Sequence, residues 1–362
     1  MAFDIVESPV PEEIGTDAFI PRCLWTIGMT DEAVRELPAR RRFSLGAASS
    51  QFGLLVIIVA FWVVFSWRAP GFVSSFNLFS VGRALAVDIV IGFAQMAALA
   101  TGGMNLSVGS IGVCAVMTGG FLMQTLGLPI PVAIAGALAL GATLGWLNGF
   151  VITRTGVNSF IITLASANLY SGAMLILTKA VPFDNLPKDI GAFGKLRLAD
   201  AVSPLLIIAL AIGSLLFVLY RHSVLGRQIL ASGANARAAK MSGVPVDRVV
   251  TISHALSGLL AATAGMMVVA RLGAAMPAVG GEDWLLPSFL GPVLGGTLLS
   301  GGAVAVVGTM LGALLVTTIR SGLLVLQIGN FWLQLYLGVI LLFAVLADRW
   351  RALQAARRGI PP

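Results

Sequence analysis

The sequence predicts an all-α polytopic membrane protein with about ten transmembrane helices and both termini cytoplasmic. Three observations lead there. Hydrophobic residues make up 57% of the 362 residues and charged residues 11%, against roughly 25% charged in soluble proteins. Mean hydropathy is +0.94. The charges are also displaced to the ends, with eight of the 16 acidic residues in the first 45 positions. A chain so apolar cannot hide its surface in one water-excluding core, so lipid is its solvent.

The apolar residues fall into runs near 49–67, 84–101, 104–126, 129–153, 158–178, 201–220, 249–271, 285–299, 303–322 and 331–347. A bilayer is crossed by about 20 such residues as a helix, which satisfies its own backbone groups. The run 285–299 is short and interrupted by Pro287 and Pro292, which predicts a broken or re-entrant helix. An even number of spans puts both termini on one face. That face carries 15 Lys and Arg residues and the other eight, so the richer one is cytoplasmic. The segment 1–45 is then a polar cytoplasmic tail, loosely packed, with Pro9, Pro11, Pro21 and Pro38. Residues 46–347 form the transmembrane body, and 348–362 a basic cytoplasmic tail. Residues 221–248 are the largest internal cytoplasmic loop, and 179–200, with Pro182, Pro187 and Gly191, an exposed outer loop.

Several functions are excluded at this level. The net charge of +7 would suggest nucleic acid in a soluble protein, but here it sits beside apolar spans as topology charge. Two cysteines and two histidines leave no spacing for zinc or a disulfide framework. No catalytic constellation and no metal site are expected. The nearest approach to a phosphate-binding loop, Gly191-Ala-Phe-Gly-Lys195, has the wrong spacing and no hydroxyl, so the chain cannot be its own ATPase. No ladder of intramembrane acids suggests an ion pathway. Asp88 is the one acid well inside a run, a functional candidate by default, or a carboxylate near the outer edge partnered by Arg83 or water. Arg271 and Arg320 are read as snorkelling to the interface.

Two segments carry chemistry. In the cytoplasmic loop, Asn235 is suited to cap a helix through Lys240 that Gly243 and Pro245 stop, with Ala238 and Ala239 presenting a small surface for a partner to approach. The residues fit a docking knob or a plain basic loop that only sets topology. The second segment is Thr101-Gly102-Gly103-Met104-Asn105-Leu106-Ser107-Val108-Gly109, where paired glycines permit a sharp turn and Asn105 and Ser107 are polar at membrane depth. It suits either a functional element or helix-packing glue. The pattern G-G-x-x-L-S-x-G recurs at Gly295–Gly302, which is a trace of two related halves or a coincidence in a Gly-rich chain.

Gly226, Arg227, Ala231, Gly233, Asn235, Ala238, Ala239, Gly243 and Val244 together resemble the cytoplasmic coupling loop of sugar-importing ABC permeases, the ribose-, xylose- and galactofuranose-type translocators. Nine positions at fixed spacing make the likeness specific. The run at 101–109 is similar to that family's T-G-G-I-D-L-S-V-G, with Asn105 where Asp is usual. Asn148-Gly149, Phe160 and Thr163 resemble its N-G…F-I-x-T-L run, with Asn158 and Ser159 in place of prolines. Gly281-Glu282 and Leu294–Gly312 resemble its G-x-E…G-G-T run. The likeness covers about 46–347.

The resemblance implies a transmembrane permease domain over those residues, in a bacterial inner membrane. Gly226, Arg227, Gly233, Asn235, Ala238, Ala239 and Gly243 would couple to a cytoplasmic ABC ATPase subunit. Gly102, Gly103, Asn105, Ser107, Asn148, Phe160, Thr163 and Glu282 are candidates for translocation or gating, and Trp146 and Asn168 for lining the route. The implied partners are that ATPase, which uses the ATP, a periplasmic substrate-binding protein, a second permease subunit (identical or related) and the lipid bilayer. No cofactor is expected on this chain and no nucleic acid. Permeases for branched-chain amino acids or nucleosides compete within the class, and an ion-coupled secondary transporter outside it.

Overall fold

In the computed structural model the described residues are 45–327, save 70 and 199–201, together with a few isolated positions between 332 and 346. Both tails, and the run at 331–347 as an element, lie outside them.

Every named element in this span is helical: α1 Leu45–Arg68, α2 Ser75–Leu99, α3 Val108–Gln124, α4 Ile130–Thr155, α5 Ser159–Thr178, α6 Lys188–Lys195, α7 Pro204–His222, α8 Val224–Ala234, α9 Ala236–Met241, α10 Val246–Leu272, α11 Leu285–Leu294 and α12 Val306–Val325. Seven (α1, α2, α4, α5, α7, α10 and α12) are long and apolar enough to cross a membrane, and they match seven of the expected spans. The runs at 104–126 and 285–299 yield shorter helices, α3 of 17 residues and α11 of 10. At 1.5 Å per residue these are about 25 and 15 Å long, short of the roughly 30 Å hydrocarbon core. Pro287 and Pro292 both sit inside α11, so the helix is short but is not broken at either proline.

The core is built around α10, which packs chiefly on α4, α2 and α3. Its close approach to α4 follows from small residues at four-residue intervals. A Cβ on Gly141 would overlap Ala262, one on Gly145 the backbone of His254 and Gly258, and one on Gly149 would lie 2.7 Å from Thr251 Cα. Such small-residue stripes let backbones dock where lipid supplies no hydrophobic drive. In contrast, α1 packs chiefly on α12 among the described residues, through Leu54, Ile58, Leu315, Ile319 and Leu323. α5 exposes most of its surface.

Three sequence expectations are corrected. The outer loop 179–200 contains α6, which is held because Ile190 is buried and Gly194 abuts the α10 backbone at Ala270. Asp88 is partnered by Thr317 Oγ1 (2.9 Å) and Arg320 (3.5 Å) rather than by Arg83, whose guanidinium instead donates to Gly194 O. Arg320 therefore turns inward to an ion pair instead of snorkelling.

Candidate functional site

Two non-helical segments fill the depth that α3 and α11 leave unspanned. The first, Ala100–Ser107, joins α2 to α3, and non-helical backbone at membrane depth is tolerated only where protein or a water-lined cavity satisfies it. Hydroxyls of α5 do so for two of the segment's N–H groups, and side chains of α10 and α4 hold its polar side chains. Met104 N–H donates to Ser159 Oγ (2.9 Å) and Leu106 N–H to Thr163 Oγ1 (3.1 Å). Asn105 Nδ2 donates to Ser257 Oγ on α10 (2.8 Å), and its Oδ1 accepts from Ser107 N–H (3.1 Å) and Ser107 Oγ (2.7 Å). Asn148 Nδ2 donates in turn to Ser107 Oγ (2.8 Å), while Tyr170 OH donates to Asn148 Oδ1 (2.9 Å).

Asn105, Ser107 and Asn148 are thus brought together as one buried chain of hydrogen bonds, and Thr163, also buried, holds the Leu106 backbone beside it. Gly103 completes the packing, since a Cβ there would come within 3.2 Å of the His254 ring and 3.3 Å of Ser159 Oγ. Every hydrogen-bonding position of the Asn105 amide that is used here suits a neutral side chain. The residues missed by sequence reasoning are the partners: Tyr170, Ser159, Ser257 and His254. Hydroxyls among apolar helices give little signal without knowledge of which helices adjoin.

The second segment links α10 to α11 and α11 to α12. The 3-10 turn Gly281–Trp284 lies against the start of α3. A Cβ on Gly109 would overlap Gly281 O, and one on Gly112 the Trp284 ring. The backbone of Glu282 is in this turn, and its side chain lies outside the described residues. Earlier, Ala275 pairs with Phe183 and faces Gly120 near the far end of α3. Residues 275–281 therefore run alongside α3 for the 11 residues between Gly120 and Gly109, about 16 Å.

The two G-G-x-x-L-S-x-G segments meet at the opposite end. Gly302 N–H donates to Ala100 O (3.1 Å), and Gly301, at φ +85°, leaves 2.7 Å between its would-be Cβ and Gly102 Cα. The end of α8 wedges into the same point. A Cβ on Gly233 would overlap Ala100 O and lie 2.5 Å from Gly302 N, and one on Gly302 would lie 2.7 Å from Ala234 Cα. Three backbones touch here, and glycine is the only residue that permits it.

The 221–248 segment is two helices rather than a loop. Ser223 Oγ accepts from Gly226 N–H (2.8 Å) to cap α8, and the close α7–α8 turn requires Gly226, whose Cβ would overlap Leu219 O. The Arg227 side chain donates back to His222 O (3.2 Å). As expected, Asn235 caps α9, its Oδ1 accepting from Ala238 N–H (3.0 Å), and Gly243 ends the turn at φ +81°. One expectation is corrected. Ala238 is exposed, but Ala239 is buried at 6%, because it lies on the inner side of α9 with Val244 N–H closing on its carbonyl. The outward face of α9 is instead Arg237, Ala238 and Met241, the last 84% exposed. Phe160, at 46% exposure, stands outside the hydrogen-bonded cluster on α5. Trp146 and Asn168 are also exposed, whereas Asn148 is not.

A family described as the permease component of a branched-chain amino acid transport system matches residues 84–346, which include both segments and the α8–α9 pair. The chain belongs to this permease family. The permease is 33% identical over 315 residues to the ribose import permease protein of Escherichia coli, covering 85% of this chain and 96% of that protein. It is 34% identical over 300 residues to the ribose import permease protein of Bacillus subtilis (82% and 91%). It is 28% identical over 326 residues to the D-allose transport system permease protein of E. coli (89% and 99%). No solved structure matches. With seven candidate spans, the permease is a multi-pass membrane protein.

Proposed function

We propose that the permease is a transmembrane subunit of an ATP-driven ABC importer for a monosaccharide, in a bacterial inner membrane, with about ten spans and both termini cytoplasmic. The observation that carries the mechanism is the three-backbone contact of Gly233 with Ala100 and Gly302. It joins α8 and α9, the candidate seat of an ATPase subunit, to both non-helical segments within the membrane. An ATPase closing on nucleotide would pull α9 through the exposed face around Met241. α8 would transmit that displacement to Gly102 and Gly301 at once. The buried Asn105–Ser107–Asn148 chain would hold the first segment until then, so the cycle is a population shift between two packings. A second permease subunit would cover α5, and a substrate-binding protein would deliver the solute at the opposite face. ATP binds to the partner, and no cofactor is assigned to this chain.

The choice of a sugar rests on relatives named for ribose, D-allose and L-arabinose. The family description favours a second reading, a branched-chain amino acid. Both are tested by reconstituting the permease in liposomes with its ATPase and binding protein and measuring uptake of labelled ribose, allose, arabinose and leucine. ATP-dependent uptake of a sugar is expected. Uptake of leucine alone would replace the substrate, and uptake that survives without ATP but collapses with an uncoupler would sink the ABC mechanism.

A further inference from the structure

A cleft of about 790 Å³ opens where α4 ends and α10 begins. Its rim carries Arg154, Lys240 and Arg248, all exposed, against a single carboxylate, Asp247. Arg154 is one residue from the end of α4, and Arg248 is the third residue of α10. Both therefore stand at the boundary where two candidate spans leave the membrane. The first turn of α10 adds to the positive rim, since Pro245 precedes it and no side chain caps its N–H groups. A helix start of this kind favours an anion.

The wall below the rim is aromatic. Trp146 and Phe150 stack at 5.2 Å between centroids and 17° between planes, and Arg154 lies over Phe150 at 5.3 Å. Trp146 is 44% exposed and Phe150 38%. Eight residues of helix put Trp146 about 12 Å deeper than Arg154. The cleft is therefore cationic at the membrane surface and flat and apolar beneath it.

We propose that this cleft binds an anionic phospholipid, its phosphate held by Arg154, Arg248 and Lys240 and its first acyl methylenes laid on the Trp146–Phe150 pair. Basic pockets between transmembrane helices recognise lipid head groups in this way. A soluble anion would use only the rim and leave the aromatic wall unexplained. An acidic protein segment would not reach that wall within the spans. Lys240 shares α9 with the exposed Arg237, Ala238 and Met241, so a lipid here borders the proposed ATPase seat.

The test uses the full chain in detergent, with neither ATPase nor sugar, so its outcome is independent of the transport reading. Retention of phosphatidylglycerol and of phosphatidylcholine with the same acyl chains is measured by native mass spectrometry, with inorganic phosphate as competitor. Phosphatidylglycerol should be retained at least tenfold over phosphatidylcholine. The double variant R154Q/R248Q should lose roughly thirtyfold of that retention, and each single variant roughly fivefold should the double fail to fold. Lipid-free melting temperatures identify the folded variants. Equal retention of the two lipids, unchanged retention by a folded variant, or full displacement of the lipid by millimolar phosphate would each overturn the proposal.

Discussion

Gly233→Ala isolates the contact on which coupling is proposed to depend. The added Cβ would overlap Ala100 O and lie 2.5 Å from Gly302 N, where ordinary contact begins at about 3.4 Å. The backbones must therefore part by about 1 Å, and the 3.1 Å hydrogen bond from Gly302 N–H to Ala100 O is lost or lengthened. Overpacking of this kind costs ~1–3 kcal/mol, and the lost bond adds ~0.5–1.5 kcal/mol. Alanine recovers up to ~1 kcal/mol of helix propensity at the end of α8. The net, about 2.5 kcal/mol at the middle of these ranges, depopulates the packed state roughly 70-fold. ATP-driven uptake into proteoliposomes should fall by at least fivefold. ATPase retention on an affinity column should stay as in the wild type, because the outward face of α9 is untouched. Gly53→Ala is the control, since a Cβ at that α1 position meets nothing within 4 Å. Wild-type uptake by a folded Gly233→Ala protein would refute the claim that α8 drives the two segments through this point.

Three further outcomes follow from the same geometry. Met241→Asp, on the 84%-exposed position of α9, should reduce co-purification of the ATPase at least tenfold without lowering the melting temperature; undiminished co-purification would move the docking surface elsewhere. Asn148→Leu removes the donor to Ser107 Oγ and the acceptor of Tyr170 OH, and should cost ~1–3 kcal/mol, read as a lower melting temperature in detergent. Asp88→Asn strips the partner from Arg320, whose side chain is 33% exposed against 8% for Asp88. The loss should be ~1–2 kcal/mol, below the ~3–5 kcal/mol of a fully buried pair. A thermal double-mutant cycle with Arg320→Met that gave no coupling would show the pair to be energetically idle.

Local chemistry was legible in the sequence, and adjacency was not. The Asn235 cap, the Gly243 stop and the shortness of α11 each depend on neighbours within a few residues, and each stands as expected, although α11 runs on past Pro292 to Leu294. The same holds for the location of the apolar helices, whose length and composition are a property of one segment. Ala239 was misjudged because which side of a one-turn helix faces inward is set by Val244 folding back on it. Arg320 was misjudged because its partner lies 232 residues away. The Gly141–Gly145–Gly149 stripe acquires its meaning only with α10 as the surface it meets. The hydrogen-bonded chain from Ser257 to Tyr170 draws on four separate stretches of sequence, so no motif of contiguous residues contains it.

The two G-G-x-x-L-S-x-G segments were ambiguous as sequence, and their contact gives the repetition a physical reason. Each follows the end of a helix, α2 or α11, and each supplies a glycine with positive φ, Gly102 at +78° and Gly301 at +85°, at the point where they touch. A residue with a side chain in either place would separate the segments and withdraw both from Gly233. The same logic bears on Asn105. Its amide donates to Ser257 and accepts twice from Ser107, and among the described residues no cation bonds to it. A carboxylate there would keep both Ser107 bonds, but it would need the Ser257 hydroxyl to reverse and would bury a charge without a counter-ion, at a cost of several kcal/mol. The neutral side chain fits a network that acts by holding backbone in place, so the coupling proposed for this chain is steric, carried by glycine contacts, and does not depend on a charge at position 105.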